Sequence, residues 1–596
     1  MNHMNAGKLP RKLLVAGVLM LALGIPASAG ADTFTVTNGG NSGSGSLRQA
    51  VLDANAHPGR DKIDFAPAVD HVIVSNPGDS DLEITDDLDI EGPGAGKLAL
   101  FGFSSRVFDV RGSVTATIAG LSIKFGGAFG DAGDGGAILN AGNLMVTGVT
   151  FEDNHAKDTS GRDVRGGAIA NSGTLSLRNS LLTKNGAVGG LPGKTSGGAI
   201  FNSGTMTIDG SRLTANVASS AETTGPDGGD GRGGAIANTG DLRISDSTLS
   251  GNLARGGTAH LEGGAGLGGA IYNYDDGTLS VGRSSLAHNS AAGGGASVGG
   301  GGVAGLAIGG GIENFGTASF QLENVTLAAN DATSFGEHRQ TQSFGGGIDN
   351  QATTARSFVL ASTISGNSAY EGSNIDISSA NLSLQDTILA NPTNQAHEVG
   401  ENCGHPRGVP SLPPIDSRGY NLDSDSSCEL KGRGDQASRD PQLKDLDDNG
   451  GPTQTMAIPL SSPALDAGVS AGLTTDQRGE RRPVIVPGVP RPEGGDGADI
   501  GAYEYQPSHR GHLQIQGTVK PGRTHAGERT CFKLKAEHPN GGPLAKAQVK
   551  LGGKRTRTDE RGKATICKRF KHKGVRHPRI RKRGLERAKL RVNVRP

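Results

Sequence analysis

The chain has 596 residues, 98 of them Gly, with no Trp, 34% apolar content and 59 basic against 59 acidic side chains. On composition alone the chain would pass for a low-complexity filament, a reading that the placement of its few apolar residues in a repeat overrides, and no stretch beyond the amino terminus approaches a membrane-spanning helix. The zero net charge is a cancellation, because residues 511–596 hold 25 Lys and Arg against 5 Asp and Glu, a net of +20, and the remainder carries −20.

Met1 to about Ala31 reads as a secretory leader: Lys8, Arg11 and Lys12 form a basic start, Leu13 to Leu23 an apolar core, and Ala27-Ser28-Ala29 a small-residue cleavage site. The mature protein is therefore expected to be secreted, extracellular or cell-surface associated, with no integral membrane segment. Residues 32–68 should form an amino-terminal cap. Thr33-Phe34-Thr35-Val36 alternates as a strand, and Ser46 with Gln49 makes a capping box ahead of Leu47, Ala50, Val51 and Ala54 at helical spacing. Gly45 to Val51, with Ala54-Asn55-Ala56 and Asp61 to Phe65, resembles the amino-terminal segment of secreted bacterial β-helix proteins of the CSLREA type, Gly45 standing where that pattern has Cys.

Residues 69–391 alternate apolar and polar residues in short runs, first irregularly, as in Leu82-Glu83-Ile84, and then in a strict frame. Seven copies open with a Gly pair at Gly135, Gly166, Gly197, Gly233, Gly268, Gly309 and Gly345, each with Ile at its fourth position. Two Asn recur in each. The first is Asn140, Asn171, Asn202, Asn238, Asn273, Asn314 and Asn350, and the second runs from Asn154 through Asn216 to Asn367. Period-two alternation over so few residues marks strand. Three short strands per copy with Asn and Gly corners predict an all-β fold, a right-handed parallel β-helix whose coils stack about 4.8 Å apart. Asn tolerates a left-handed corner, and its amide can bond the identical amide one coil above. Segments of unequal length between the second Asn and the next Gly pair should project as a fringe on one side, either a flexible Gly-rich border or a partner-contact surface. The Gly-Gly-Ala-Ile frame with Phe151-x-x-Asn154 resembles the repeat of the chlamydial polymorphic outer-membrane proteins, which implies the β-helical body of a surface adhesin.

Ser373 to Asn391 supplies one more coil, and residues 392–507 then change character. Gly419-Tyr420-Asn421-Leu422, Asp448-Asn449-Gly450-Gly451-Pro452, Ser462-Pro463-Ala464-Leu465-Asp466, Asp476-Gln477-Arg478-Gly479 and Asp499-Ile500-Gly501-Ala502-Tyr503-Glu504 occur in that order. This series resembles the choice-of-anchor Q region of secreted bacterial β-helix proteins, which implies the closing end of the solenoid in proteins with interchangeable surface anchors. Asp445, Asp447 and Asn449 have the opening spacing of a calcium loop, with Met456 where its closing Glu would stand. Calcium is thus the one cofactor candidate.

Residues 511–596 form a separate basic domain. Val549-Lys550-Leu551 and Thr558 to Ile566 read as strand, turn, strand, and resemble bacterial immunoglobulin-like or carboxypeptidase-regulatory-like sandwiches. Cys403 with Cys428, and Cys531 with Cys567, are spaced as two local disulfides of an exported chain. Arg576, Arg579, Arg581, Lys582 and Arg583 require a counter-charge. Anionic envelope polymer or polysaccharide, a host or neighbouring-cell surface, or the protein's own acidic body would supply it, while the near absence of aromatics here argues against nucleic acid.

Many β-helices are polysaccharide lyases or hydrolases, chemistry that needs paired carboxylates or an acidic calcium cluster with a base. The outward column Thr147, Arg178, Asp209, Ser245, Gly282, Glu323 and Ala361 sets no two carboxylates on adjacent coils. The expected function is therefore a structural, adhesin-like rod attached to envelope polymers through its basic domain, and the alternative is a carbohydrate-active enzyme.

Overall fold

The computed structural model describes residues 30–506 and 516–596, apart from breaks at 75–80, 104, 130–132, 159, 191–192, 298–301, 335–342, 378–380, 395–398, 405–414, 487, 538–542, 582–587 and 589. The segment expected to be a secretory leader lies, but for its last residues, outside the described residues. Three long parallel sheets carry the coils as a right-handed parallel β-helix. Sheet I has thirteen strands from Thr33–Val36 to Asp416–Ser417, sheet II thirteen from His71–Ile73 to Gln436–Ala437, and sheet III eleven from Leu82–Ile84 to Cys403–Gly404. A typical coil passes through Ile169–Asn171 in sheet III, Thr174–Arg178 in sheet I and Leu181–Thr183 in sheet II. Register is strict because a slip of one residue would expose every inward side chain. Ile138, Ile169, Ile200, Ile236, Ile271, Ile312, Ile348 and Ile375 stack one above another and are all fully buried.

Both Asn columns form buried ladders. In the first, each Nδ2 donates to the Oδ1 of the next coil, from Asn140 to Asn171 at 2.6 Å through Asn314 to Asn350 at 2.8 Å. In the second, Asn185 Nδ2 donates to Asn216 Oδ1 and Asn216 Nδ2 to Asn252 Oδ1, both at 2.9 Å. The sequence frame ends at Asn367, yet the second ladder continues through Asn374 and Asn402. These two residues stand at the entry of sheet III strands rather than at the exit of sheet II strands.

At the amino end the single helix among the described residues, Leu47–Ala56, is capped by Ser46, whose Oγ accepts from Gln49 N at 3.2 Å. Leu47, Ala50, Val51 and Ala54 are buried and close the apolar interior, as their spacing predicts. Only half of the capping box forms, because the Gln49 side chain donates to Asp53 instead.

The fringe is more regular than a flexible border. Its described residues add two short parallel sheets, sheet IV with seven strands from Gly127–Phe129 to Asp331–Ser334, and sheet V with six from Val164–Arg165 to Ser343–Phe344. The chain runs out along sheet IV and returns along sheet V, so the insertions build a flat fin. Its backbones meet through Gly: a Cβ on Gly231 would lie 2.3 Å from Arg255 O, and one on Gly264 1.9 Å from Gly229 O. A composition that looks mobile is here the condition for close approach.

The closing region does more than end the helix. Cys403–Gly404, Asp416–Ser417 and Leu422–Asp423 add a coil to sheets III, I and II beyond Asn391, pinned by the Cys403–Cys428 disulfide. Residues 440–506 then fold back along the flank, where Thr453 Oγ1 donates to Arg283 O, Thr326 Oγ1 to Gln477 Oε1 and Ala502 N to Thr363 Oγ1. The Asp476-Gln477-Arg478 and Asp499-to-Glu504 motifs form the lobe's buried polar centre. Arg482 is fully buried against Asp386 and Glu504, and Arg478 is bonded to Asp476 with its guanidinium 3.7 Å from the Tyr503 ring centroid.

Beyond residue 515 the basic domain holds three three-stranded sheets around a separate apolar core that includes Phe532, Val549, Ile566 and Ile580. The Cys531–Cys567 disulfide joins two neighbouring antiparallel strands, Arg529–Glu537 and Lys563–Arg569.

Candidate functional site

In the basic domain one sheet gathers cations on its outer face. Its strands are Lys554–Arg557, Gln548–Leu551 and Arg579–Arg581, in that order across the sheet. Alternation turns Val549, Leu551 and Ile580 into the core, so Gln548 and Lys550, Arg555 and Arg557, and Arg579 and Arg581 face outward and are exposed. Antiparallel pairing sets Lys550 opposite Arg555 on one side and Arg579 on the other, and Gln548 opposite Arg557 and Arg581. Directly opposed side chains have Cβ atoms about 5 Å apart, and like charges at that distance repel. No ion pair reaches these five cations among the described residues.

Of the residues singled out by sequence, Arg579 and Arg581 lie on this face. Arg576 lies on a different sheet, its guanidinium 5.6 Å from the Phe570 ring centroid. Lys582 and Arg583 fall outside the described residues. Lys550, Arg555 and Arg557 complete the face: Lys550 alternates with Val549 and Leu551, the signal that marks an outward row, whereas Arg555 and Arg557 flank Thr556, which gives no such apolar signal.

The calcium candidates fall in a hairpin. Leu446–Asp447 pairs antiparallel with Thr455–Met456, so Met456 is a strand residue and the segment is not wound into a twelve-residue loop. Asn449 Nδ2 donates to Thr455 O at 2.7 Å and fastens the turn, while Asp445 and Asp447 are exposed. Among the described residues no group of three or more His, Cys, Asp or Glu is gathered around a common point for a metal ion.

Paired acids do occur in a column that sequence reasoning did not test. On the outer face of sheet III, Tyr272, Glu313, Asp349 and Asp376 stack on successive coils. Glu313, Asp349 and Asp376 are at most 2% exposed. Sheet V lies over this column. Arg165 sits 5.1 Å from the Phe201 ring centroid and Arg232 5.6 Å from that of Tyr272, and Leu267 and Ile308 pack with Tyr272 in one apolar cluster. Burial pushes Glu313 and Asp349 well above the usual carboxylate range. Without a proton, Glu313 Oε2 and both oxygens of Asp349 meet no donor of hydrogen-bonding geometry. A proton shared between neighbouring carboxyls would supply the missing donor, and the three acids lie buried.

An open groove of about 700 Å³ crosses sheet I, floored by Thr207, Arg243, Ser280 and Gln321 and flanked by Arg356, Phe358 and Arg418. Among the described residues Asp241 is the one carboxylate in its lining, and its Oδ1 is engaged by Thr278 Oγ1. Glycoside hydrolysis by two carboxylates therefore has one partner here, not two.

Comparison of the chain with protein-family models gives no match, and comparison with curated proteins gives none. The motif resemblances thus carry no family assignment, and the functional reading rests on the chain's own geometry.

Proposed function

We propose that the protein is an exported structural or adhesin-like rod whose basic terminal domain, an immunoglobulin-like sandwich, attaches it to an anionic envelope polymer. The single observation that carries this reading is the outward face on which Lys550 stands between Arg555 and Arg579, with Arg557 and Arg581 in the next row, and no acidic partner among the described residues. A sheet that opposes like charges across its strands gains stability when a polyanion lies along it, and the gain is lost as salt screens the contact. The disulfides Cys403–Cys428 and Cys531–Cys567 accord with an exported chain. The acidic body repels the same polymer, so the rod stands off the surface that its terminal domain grips.

The test is co-sedimentation of the purified mature protein with anionic cell-wall polymer. Retention at low salt, release by about 0.3 M NaCl and loss in the Lys550→Glu/Arg579→Glu/Arg581→Glu variant are expected, with circular dichroism unchanged. Undiminished retention by that variant, or by a chain truncated after residue 510, would remove the basis for attachment through this domain.

A further inference from the structure

The amino-terminal coils carry an exposed aromatic cluster in a chain otherwise poor in such residues. Phe101, Phe103 and Phe125 have ring planes within 15° of parallel and centroids 5.4, 6.1 and 6.2 Å apart, so each ring neighbours the other two. Phe103 is 51% and Phe125 44% exposed.

Their backbone makes the placement unusual. Phe125 occupies the corner that leaves sheet II, left-handed in coil after coil and filled there by Asp153, Lys184, Ala215, Gly251, His288, Ala329 and Gly366. Phe103 is also left-handed, with φ of 37°, one coil earlier and one residue past Gly102, the position that register sets opposite Phe125. The fold imposes this left-handed corner on coil after coil, so what sets these two positions apart is the bulky aromatic side chain placed there, which that region disfavours. Burial does not explain them, because both rings face solvent.

We propose that these three rings form a stacking subsite for the pyranose rings of a glycan chain. A pyranose presents a flat face of C–H bonds, a match in size and polarity for a phenyl face, and hydroxyls at its edge. Polar groups flank the rings where those hydroxyls would fall. Lys124 pairs in register with Phe101 and is bridged at 2.7 Å to Glu152 on the next coil. Three rings are too small an area for a stable dimer, which buries about 800 Å² per partner. The acidic body around them disfavours a nucleic-acid strand, whose bases would otherwise stack equally well. This subsite is separate from the cationic face and differs from it in salt response, because stacking contacts are not screened.

Saturation-transfer NMR on the full mature chain in 0.5 M NaCl tests it, with chitohexaose, cellohexaose and hexagalacturonate as probes. At that salt the cationic face is silent, so failure here leaves attachment at low salt standing and failure of attachment leaves this test intact. Transfer to the ring C–H protons of at least one probe is expected, with an upfield shift of those protons. The Phe103→Gly/Phe125→Gly variant should lose at least tenfold in affinity while melting within about 2 °C of the parent, because Gly takes the left-handed backbone without strain. Phe103→Tyr/Phe125→Tyr should retain binding. Absence of transfer to every probe, unchanged affinity in the Gly variant, or a large fall in its melting temperature would overturn the proposal. So would a dimer of the parent that light scattering shows dissolved by the Gly variant.

Discussion

At the scale of single residues, the ladder Asn are the most exacting positions in the chain. Asn216 receives hydrogen bonds from Asn185 N and Asn185 Nδ2, and donates from Nδ2 to Asn252 Oδ1 and Leu182 O. Replacing it by Leu removes four hydrogen bonds at a fully buried residue; Asn185 Nδ2 keeps Phe151 O and Asn252 Oδ1 keeps Asn216 N, so Asn185 N and Leu182 O are the groups left short of a partner. At about 1–3 kcal/mol for each unsatisfied group, partly relieved by relaxation, Asn216→Leu should cost about 3–5 kcal/mol. Hydrogen exchange is the suitable readout, since coils of a solenoid open locally: amides of Leu181–Thr183 and Arg212–Thr214 should lose protection while those near Asn374 keep theirs. The ladder was legible in the sequence because seven copies repeat it in one frame. Asn374 and Asn402 were not, because they enter the column from a different strand after the frame has ended. Glu313, Asp349 and Asp376 escaped notice for a related reason: each is an ordinary outward residue in its own strand, and only the sheet above makes the column buried.

At the scale of elements, the fin marks the limit of reading strands from alternation. Its strands are two to four residues long and rich in Gly, Ala and Ser, as in Gly186–Gly189, Gly231–Arg232 and Gly266–Leu267, so no hydrophobic period distinguishes them from loops. What selects strand is the neighbour in the adjacent coil, which a local window does not contain. The fin should be intolerant of any side chain at its contacts. Gly266→Val places atoms against Ala292, whose carbonyl oxygen would lie 2.3 Å from even a Cβ, and should cost more than about 3 kcal/mol, with faster proteolysis in the fin. Gly148→Ala is the matched control. It has φ of 63° and nothing within 4 Å, so the left-handed penalty of about 1 kcal/mol is all it should incur. The cationic sheet was half legible: the strand-turn-strand around Lys550 could be read, but the pairing that brings Arg579 and Arg581 beside it joins segments about thirty residues apart, a partnership that sequence spacing does not show.

At the scale of the whole molecule, buried acids should govern how stability varies with pH. Burial raises Asp386 and Asp499 to about 7, with Arg482 pulling each downward, and raises Glu504 to about 8 with help from the charge of Asp499. Burial also raises Asp423 to about 6, and Glu313 and Asp349 shift the same way. Unfolded carboxyls titrate near 4, so between about pH 4 and pH 8 the folded chain binds more protons than the unfolded one. Folding stability therefore falls as pH rises through that window. Melting temperature should be higher at pH 5 than at pH 8, and Asp349→Asn should flatten the slope; a melting temperature that climbs from pH 5 to pH 8 contradicts this account. Below about pH 4 the trend reverses, because acids held low by partners, such as Asp89 beside Arg60 and Glu152 beside Lys124, are then protonated.

The ends of the stack differ from its middle in a way that bears on its length. The capping helix covers the first coils, and the lobe's hydrogen bonds to the coils begin at Arg283. Between them, Asn140, Asn171 and Asn202 succeed one another at intervals of 31 residues, each Nδ2 donating to the Oδ1 of the next. Loss or gain of one such interval would leave both ends seated and every ladder bond replaced by an equivalent one. The rod can therefore change reach in whole steps of about 4.8 Å, one rung at a time, without any new interface having to be invented.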